Sequence, residues 1–174
     1  MFKIIAIIIA LAIAAVLIYA ATQPDSFRME RSITIKAPPE KINAYLTDFK
    51  QWAAWSPWEN KDPAMKRSYS GSSTGMGSVY DWTGNNNVGT GRMEVTGIQP
   101  NKVTIKLDFL KPFEAHNTAE FTLEPQAEGT KVVWAMFGPA RYINKVMNVI
   151  VGMDKMVGPD FEAGLAKLKT AAEK

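Results

Sequence analysis

Polar and apolar positions divide this chain into two unequal parts. Ile4 to Ala21 (IIAIIIALAIAAVLIYAA) contains no charged residue, whereas polar and apolar residues interleave at short period from Phe27 onward. At about 1.5 Å per residue the first stretch nearly spans a bilayer core of roughly 30 Å, so it predicts a transmembrane helix. A cleavable secretory signal is the rival reading, because Lys3 supplies a positive N-terminal flank. The apolar region of such signals is usually only about 7–15 residues long. Cleavage after Ala21 or Ala20 would also put bulky Tyr19 or Ile18 where a small residue is needed. The expectation is an uncleaved anchor over residues 1–21, a polar linker over 22–26 (TQPDS), and one domain over 27–174. Lys3 on the short side places the N-terminus inside the cytoplasmic membrane and the domain outside it.

The domain opens with period-2 alternation. In FRMERSITIKA, Phe27, Met29, Ile33 and Ile35 share one face, the signature of a half-buried strand. Arg31 falls on that same face and needs a carboxylate partner or an open sheet end. APPEKINAYLTD then reads as a helix start, with prolines presetting the backbone and Ile42, Tyr45 and Leu46 at helical spacing. Trp52, Trp55 and Trp58 follow as a packing cluster that closes one end of a core. From Met65 to Gly138 the period is 2 throughout. GSVYDW, VGTGRMEVTGI, NKVTIKLDFL, FEAHNTAEFTLE and GTKVVWAMFG alternate and are separated by turn-forming GNNN, QPN, KP and PQAEG. This is an antiparallel meander with one wet face, carrying residues such as Lys106, Asp108 and Glu120, and one apolar face.

That apolar face needs cover, and the last segment supplies it. Phe161, Leu165, Leu168 and Ala172 form a helical stripe opposite Glu162, Lys167, Lys169 and Glu173. Just before it, VMNVIVGMDKMVG is nearly uncharged but too short to span a membrane, and Asp154 and Lys155 interrupt it. It carries more apolar surface than a simple core helix needs. The segment from Arg141 to Val157 is therefore expected to be a lid helix, with Met147 and Val151 on its flanks and a break at Gly158-Pro159.

The element order and the stretches ITIKAPPEKINAYLTD, QWAAWSPW, GMGSVYDWTGN, AEFTLEPQAEGTKVVWAMFG and MVGPDFEAGLAKLKTAAE resemble the START-like superfamily (SRPBCC, helix-grip fold), in its polyketide cyclase/dehydrase-like branch. The resemblance covers roughly Phe27 to Glu173. It implies an α+β helix-grip fold: a strand, short helices and an antiparallel meander curved around a long C-terminal helix, here with an added N-terminal transmembrane helix. It also implies a cavity between sheet and last helix that holds a hydrophobic small molecule. Relatives made of this domain alone lack the anchor.

Composition removes several chemistries. The net charge of +3 comes from 20 basic and 17 acidic residues with no run of like sign, which disfavours nucleic acid as a partner. With no cysteine and a single histidine, His116, on the wet register, neither a metal site nor a nucleophilic triad is indicated, and no cofactor is expected. The Gly89 and Gly91 pair in VGTGRM precedes a strand, so it reads as a bend in the sheet and not as a phosphate loop. Among carboxylates, Asp48, Asp154 and Asp160 leave the solvent register, but none has the look of a paired acid and base, and no catalytic residue is assigned.

What remains is the greasy register. Tyr80, Trp82, Phe109, Phe121, Trp134 and Met136 from the sheet are expected to face Met153, Met156 and Phe161. Asn117, the one polar residue on its face, must find a partner in a ligand, in backbone or in water. The function expected is a membrane-anchored domain binding a lipid, isoprenoid or polyketide-like compound. The alternatives are a cyclase- or aromatase-type enzyme in the same cavity, or a structural module at the membrane with a filled core. A cavity above about 300 Å³ separates the first two from the third. The oligomeric state is left open.

Overall fold

The computed structural model describes residues 2–174, with the side chain of Met153 outside the described set. Helix α1 (Phe2–Ala21) is followed by strand β1 (Ser26–Ile35), helix α2 (Pro39–Thr47) and two 3₁₀ turns (Phe49–Ala54 and Pro57–Asn60). Six strands come next: β2 (Lys66–Gly71), β3 (Ser78–Thr83), β4 (Thr90–Gln99), β5 (Lys102–Lys111), β6 (Ala115–Gln126) and β7 (Gly129–Pro139). Helices α3 (Tyr142–Ile150) and α4 (Met153–Ala172) close the chain. All seven strands form one antiparallel sheet in the order β1-β7-β6-β5-β4-β3-β2, so the first strand pairs with the last and the meander runs outward from it. This is the helix-grip architecture, with α4 packed across the sheet and closest to β1.

Register irregularities in β4 stand at Thr90/Gly91, beside the Gly89 and Gly91 pair, and at Val95/Gly97; such bulges bend a strand and increase its twist. The sequence pattern missed β2. KRSYSG has no apolar stripe because it is an edge strand, exposed along nearly its whole length.

Each long inner strand has a packed end and an open end. On β5, Val103 and Ile105 are fully buried, while Leu107 and Phe109 are only partly covered. On β6, Leu123 and Phe121 lie at the packed end, and Asn117 and Ala115 lie at the other. The packed end is sealed by Ile42, Leu46, Leu165 and Leu168 together with Trp52 and Trp55. Both indoles are held by backbone: Trp52 Nε1 donates to the Leu46 carbonyl (3.1 Å) and Trp55 Nε1 to that of Tyr45 (3.3 Å). Buried indole nitrogens need such acceptors, and α2 supplies them from its last turn.

The break between the last two helices is not at Gly158-Pro159. It falls at Gly152, whose φ of 83° is open to glycine and costly for other residues, and α4 runs unbroken through Pro159. Arg31 bridges the proline. Its guanidinium reaches Asp154 (2.8 Å) before the proline and Glu162 (2.8 Å) after it, so the two ion pairs staple the helix across the weak point. A side chain at Gly158 would collide with that guanidinium, the nearest atom lying 2.4 Å from where Cβ would stand. The inward arginine of β1 is therefore a structural ion pair with α4. The single helix expected over Arg141 to Val157 is divided instead: α3 ends at Ile150, and residues 153–157 belong to α4.

Candidate functional site

Between the open strand ends, α3 and the first turns of α4 lies a cavity of about 460 Å³. A second depression, near Asp48 and Tyr69, measures about 110 Å³, below the roughly 300–1,000 Å³ typical of small-molecule sites. The large cavity has aromatic and methionine walls. Trp134 stacks on Phe161 (centroids 4.1 Å apart, 11° between planes), and Trp58 meets both rings edge-on, so these three aromatics, with Trp52, stand between the cavity and the packed core.

Most of the sequence-derived wall residues meet here. Tyr80, Trp82, Phe109, Asn117, Trp134, Met136, Met156 and Phe161 all line the cavity, and so does Met147 of α3. Three do not join them in the described structure. Phe121 is fully buried behind the partition, among Trp52, Trp55 and Trp134 (6.3, 6.0 and 5.1 Å between centroids). Val151 sits in the turn after α3 and points to the exterior, 42% exposed. Met153 begins α4, and its side chain lies outside the described residues.

The polar groups of the cavity leave little signal in the sequence. Glu59, on the second 3₁₀ turn, is buried: its Oε1 accepts from the Tyr80 hydroxyl (2.6 Å) and its Oε2 from Arg67 Nε (2.6 Å). Burial first, and the adjacent Glu59 carboxylate second, push the Tyr80 phenol far above its ordinary value of 10.0. It stays a neutral donor at any physiological pH. Nothing in PWEN marks Glu59 as inward, since its partners lie 8 and 21 residues away. Asp160 also lines the cavity and is neutralised by Lys61 (2.6 Å). Asp154 is spent on Arg31, and Asp48 caps the first 3₁₀ turn by accepting from the Lys50 amide (3.0 Å). Two buried lining atoms, Asn117 Oδ1 and Trp134 Nε1, have no hydrogen-bond partner among the described residues.

His116 is on the outer face, as its register implies, and its two ring nitrogens meet Asp108 (2.7 Å) and Glu114 (3.2 Å). The Asp108 hydrogen bond outweighs desolvation and holds the imidazole above its ordinary value of 6.5. A raised folded-state value means the pair's contribution to stability is complete below about pH 6.5 and is lost as pH rises through the folded value. As the only histidine, it gives one imidazole resonance. Its NMR midpoint is expected above 6.5 and should fall in D108N; an unchanged midpoint in that variant would refute the pairing.

A curved antiparallel sheet gripping a helix around an apolar cavity defines a helix-grip domain of the hydrophobic-ligand-binding or cyclase-like class. A family described as polyketide cyclase/dehydrase and lipid transport matches residues 26–173, and the chain belongs to it. No curated protein matches the sequence. Solved structures similar in fold include a Chromobacterium violaceum protein at 14% identity (TM-score 0.58), covering 87% of this chain and 99% of that one. Another is the Aha1 dimer from Colwellia psychrerythraea, at 23% identity (TM-score 0.60) over 84% of this chain and 96% of that one. The di-domain ARO/CYC StfQ from the steffimycin biosynthetic pathway is similar over 85% of this chain and 51% of its own, at 12% identity (TM-score 0.61). At such identities the likeness concerns the fold alone. Helix α1 is long and apolar enough to cross a membrane, which fits an anchor or a signal sequence.

Proposed function

We propose that this chain binds a largely apolar, uncharged small molecule, a lipid, isoprenoid or polyketide-like compound, and holds it beside the membrane that α1 crosses. The observation that carries this reading is the cavity itself: about 460 Å³, walled by aromatic and methionine side chains, with two buried polar atoms unpartnered among the described residues. Apolar burial supplies affinity at about 25 cal/mol per Å². Trp134 Nε1 offers a donor and Asn117 an acceptor to one or two polar groups of the ligand. Both lining carboxylates, Glu59 and Asp160, already have cationic partners, which favours a neutral ligand. A retained anchor is supported by the fit of its end: Ala20 is fully buried, and Gln23 and Asp25 bond Lys145 of α3.

A second reading, a cyclase-type enzyme, is favoured by the Glu59 carboxylate and the Tyr80 hydroxyl facing one cavity. Native mass spectrometry of the detergent-extracted full chain tests both. A mass that includes residues 1–21 is expected, together with an apolar adduct that is recovered unchanged. Conversion of the bound compound would favour the enzyme. A chain that carries no adduct, and whose tryptophan emission ignores farnesol and oleyl alcohol, would overturn the binding reading.

A further inference from the structure

The way α1 is joined to α3 says where the cavity opens. We propose that α3 and the lip of the cavity lie in the surface of the bilayer that α1 crosses, so that the ligand passes between cavity and lipid without entering water. This rests on the reading above of a retained anchor and a ligand-binding cavity.

Depth comes first. The 20 residues of α1, at about 1.5 Å each, match a hydrocarbon core of roughly 30 Å. The Tyr142 hydroxyl at the start of α3 donates to the Leu17 carbonyl (2.9 Å). Leu17 stands one turn before the end of α1, roughly 6 Å inside it. An interfacial amphipathic helix sinks its apolar face about 5–10 Å into the headgroup and acyl boundary, so α3 is held at that depth. Tyrosine is also the side chain suited to that boundary.

The joint fixes orientation as well. Lys145, itself buried, donates to the Gln23 carbonyl (2.9 Å) and pairs with Asp25, and the Ala140 amide donates to the Asp25 carbonyl (2.8 Å). With α3 so tied, Ile143 and Ile150 at i and i+7 are 54% and 64% exposed, and Val151 continues the patch. Such a patch is out of place in water but continuous with the apolar surface of α1. Asn144 and Met147 of the same helix line the cavity, and across its mouth Phe113, also a lining residue, is 73% exposed. A mouth rimmed by Met147, Met156 and Phe113 is greasy on both lips.

The absence of cysteine gives a clean test. A single cysteine is placed at Ile143, at Ile150 or, as control, at Glu128 in the turn at the far end of β7, and labelled with bimane. The full chain is reconstituted into phosphatidylcholine vesicles with plain or brominated acyl chains. Emission at 143 and 150 is expected to drop at least twofold in the brominated vesicles, with no change at 128. Equal emission at all three sites overturns the proposal, whatever else covers the patch. The readout needs no ligand. A quenched α3 on a chain that carries no adduct sinks the binding reading alone, and an unquenched α3 on an adduct-bearing chain sinks this proposal alone.

Discussion

Replacing Phe121 by alanine is expected to cost about 3–5 kcal/mol of stability, lowering the unfolding midpoint by roughly 6–20 °C. The ring is fully buried and touches the faces or edges of Trp52, Trp55 and Trp134, and Trp52 and Trp55 are held in place by their indole hydrogen bonds, so its removal opens a void at the packed end. Phe109→Ala makes the contrast. That ring stands at the cavity wall, where its loss enlarges an existing space, and about 1–2 kcal/mol is expected. Thermal unfolding of the full chain in detergent, followed by tryptophan emission, measures both. A loss at Phe121 no larger than at Phe109 would show that the partition between core and cavity is drawn in the wrong place.

That contrast also marks what could be read in the sequence. Alternation gives the face of a strand that points inward, and Val103, Phe121 and Trp134 all point inward. It carries no information on what covers each position, because cover comes from α2, the 3₁₀ turns and α4, tens of residues away. Phe121 and Phe109 are therefore indistinguishable in pattern and opposite in role. Strand β2 is silent in the pattern because an edge strand that buries nothing leaves no apolar stripe. Gly158-Pro159 carries a strong local signal for a break, whereas the ion pairs from Arg31 that bridge it come from a strand more than a hundred residues away. Glu59 is the extreme case: a charged residue in a short turn reads as solvent-exposed until the fold brings Arg67 and Tyr80 to its two oxygens. Arg31 was legible in part, since an inward charge demands a partner even when the partner cannot be named.

Arg67→Met is expected to cost about 2–3 kcal/mol, and Glu59→Gln in the same chain to restore most of it. Arg67 neutralises a buried carboxylate and also bonds the Glu59 carbonyl (3.0 Å) and the Met65 carbonyl (2.8 Å). Removing one partner of a fully buried pair costs roughly 3–5 kcal/mol, because the other charge is left in a poor solvent. The Arg67 side chain is 27% exposed, so water screens part of that penalty and the lower figure applies. Glu59→Gln alone keeps an oxygen for the Tyr80 hydroxyl and frees a cation that can still reach water, so about 1 kcal/mol is expected. The two losses should not add: a double variant within about 1 kcal/mol of the parent gives a coupling energy that only a shared buried charge produces. Additive losses would mean that Glu59 is solvated and that the polar end of the cavity is open to water. The distinction bears on the proposed binding role, because a dry Glu59 carboxylate, an acceptor to which Tyr80 already gives its one hydroxyl proton, favours a ligand that brings a hydroxyl donor, whereas a wet pair selects for nothing.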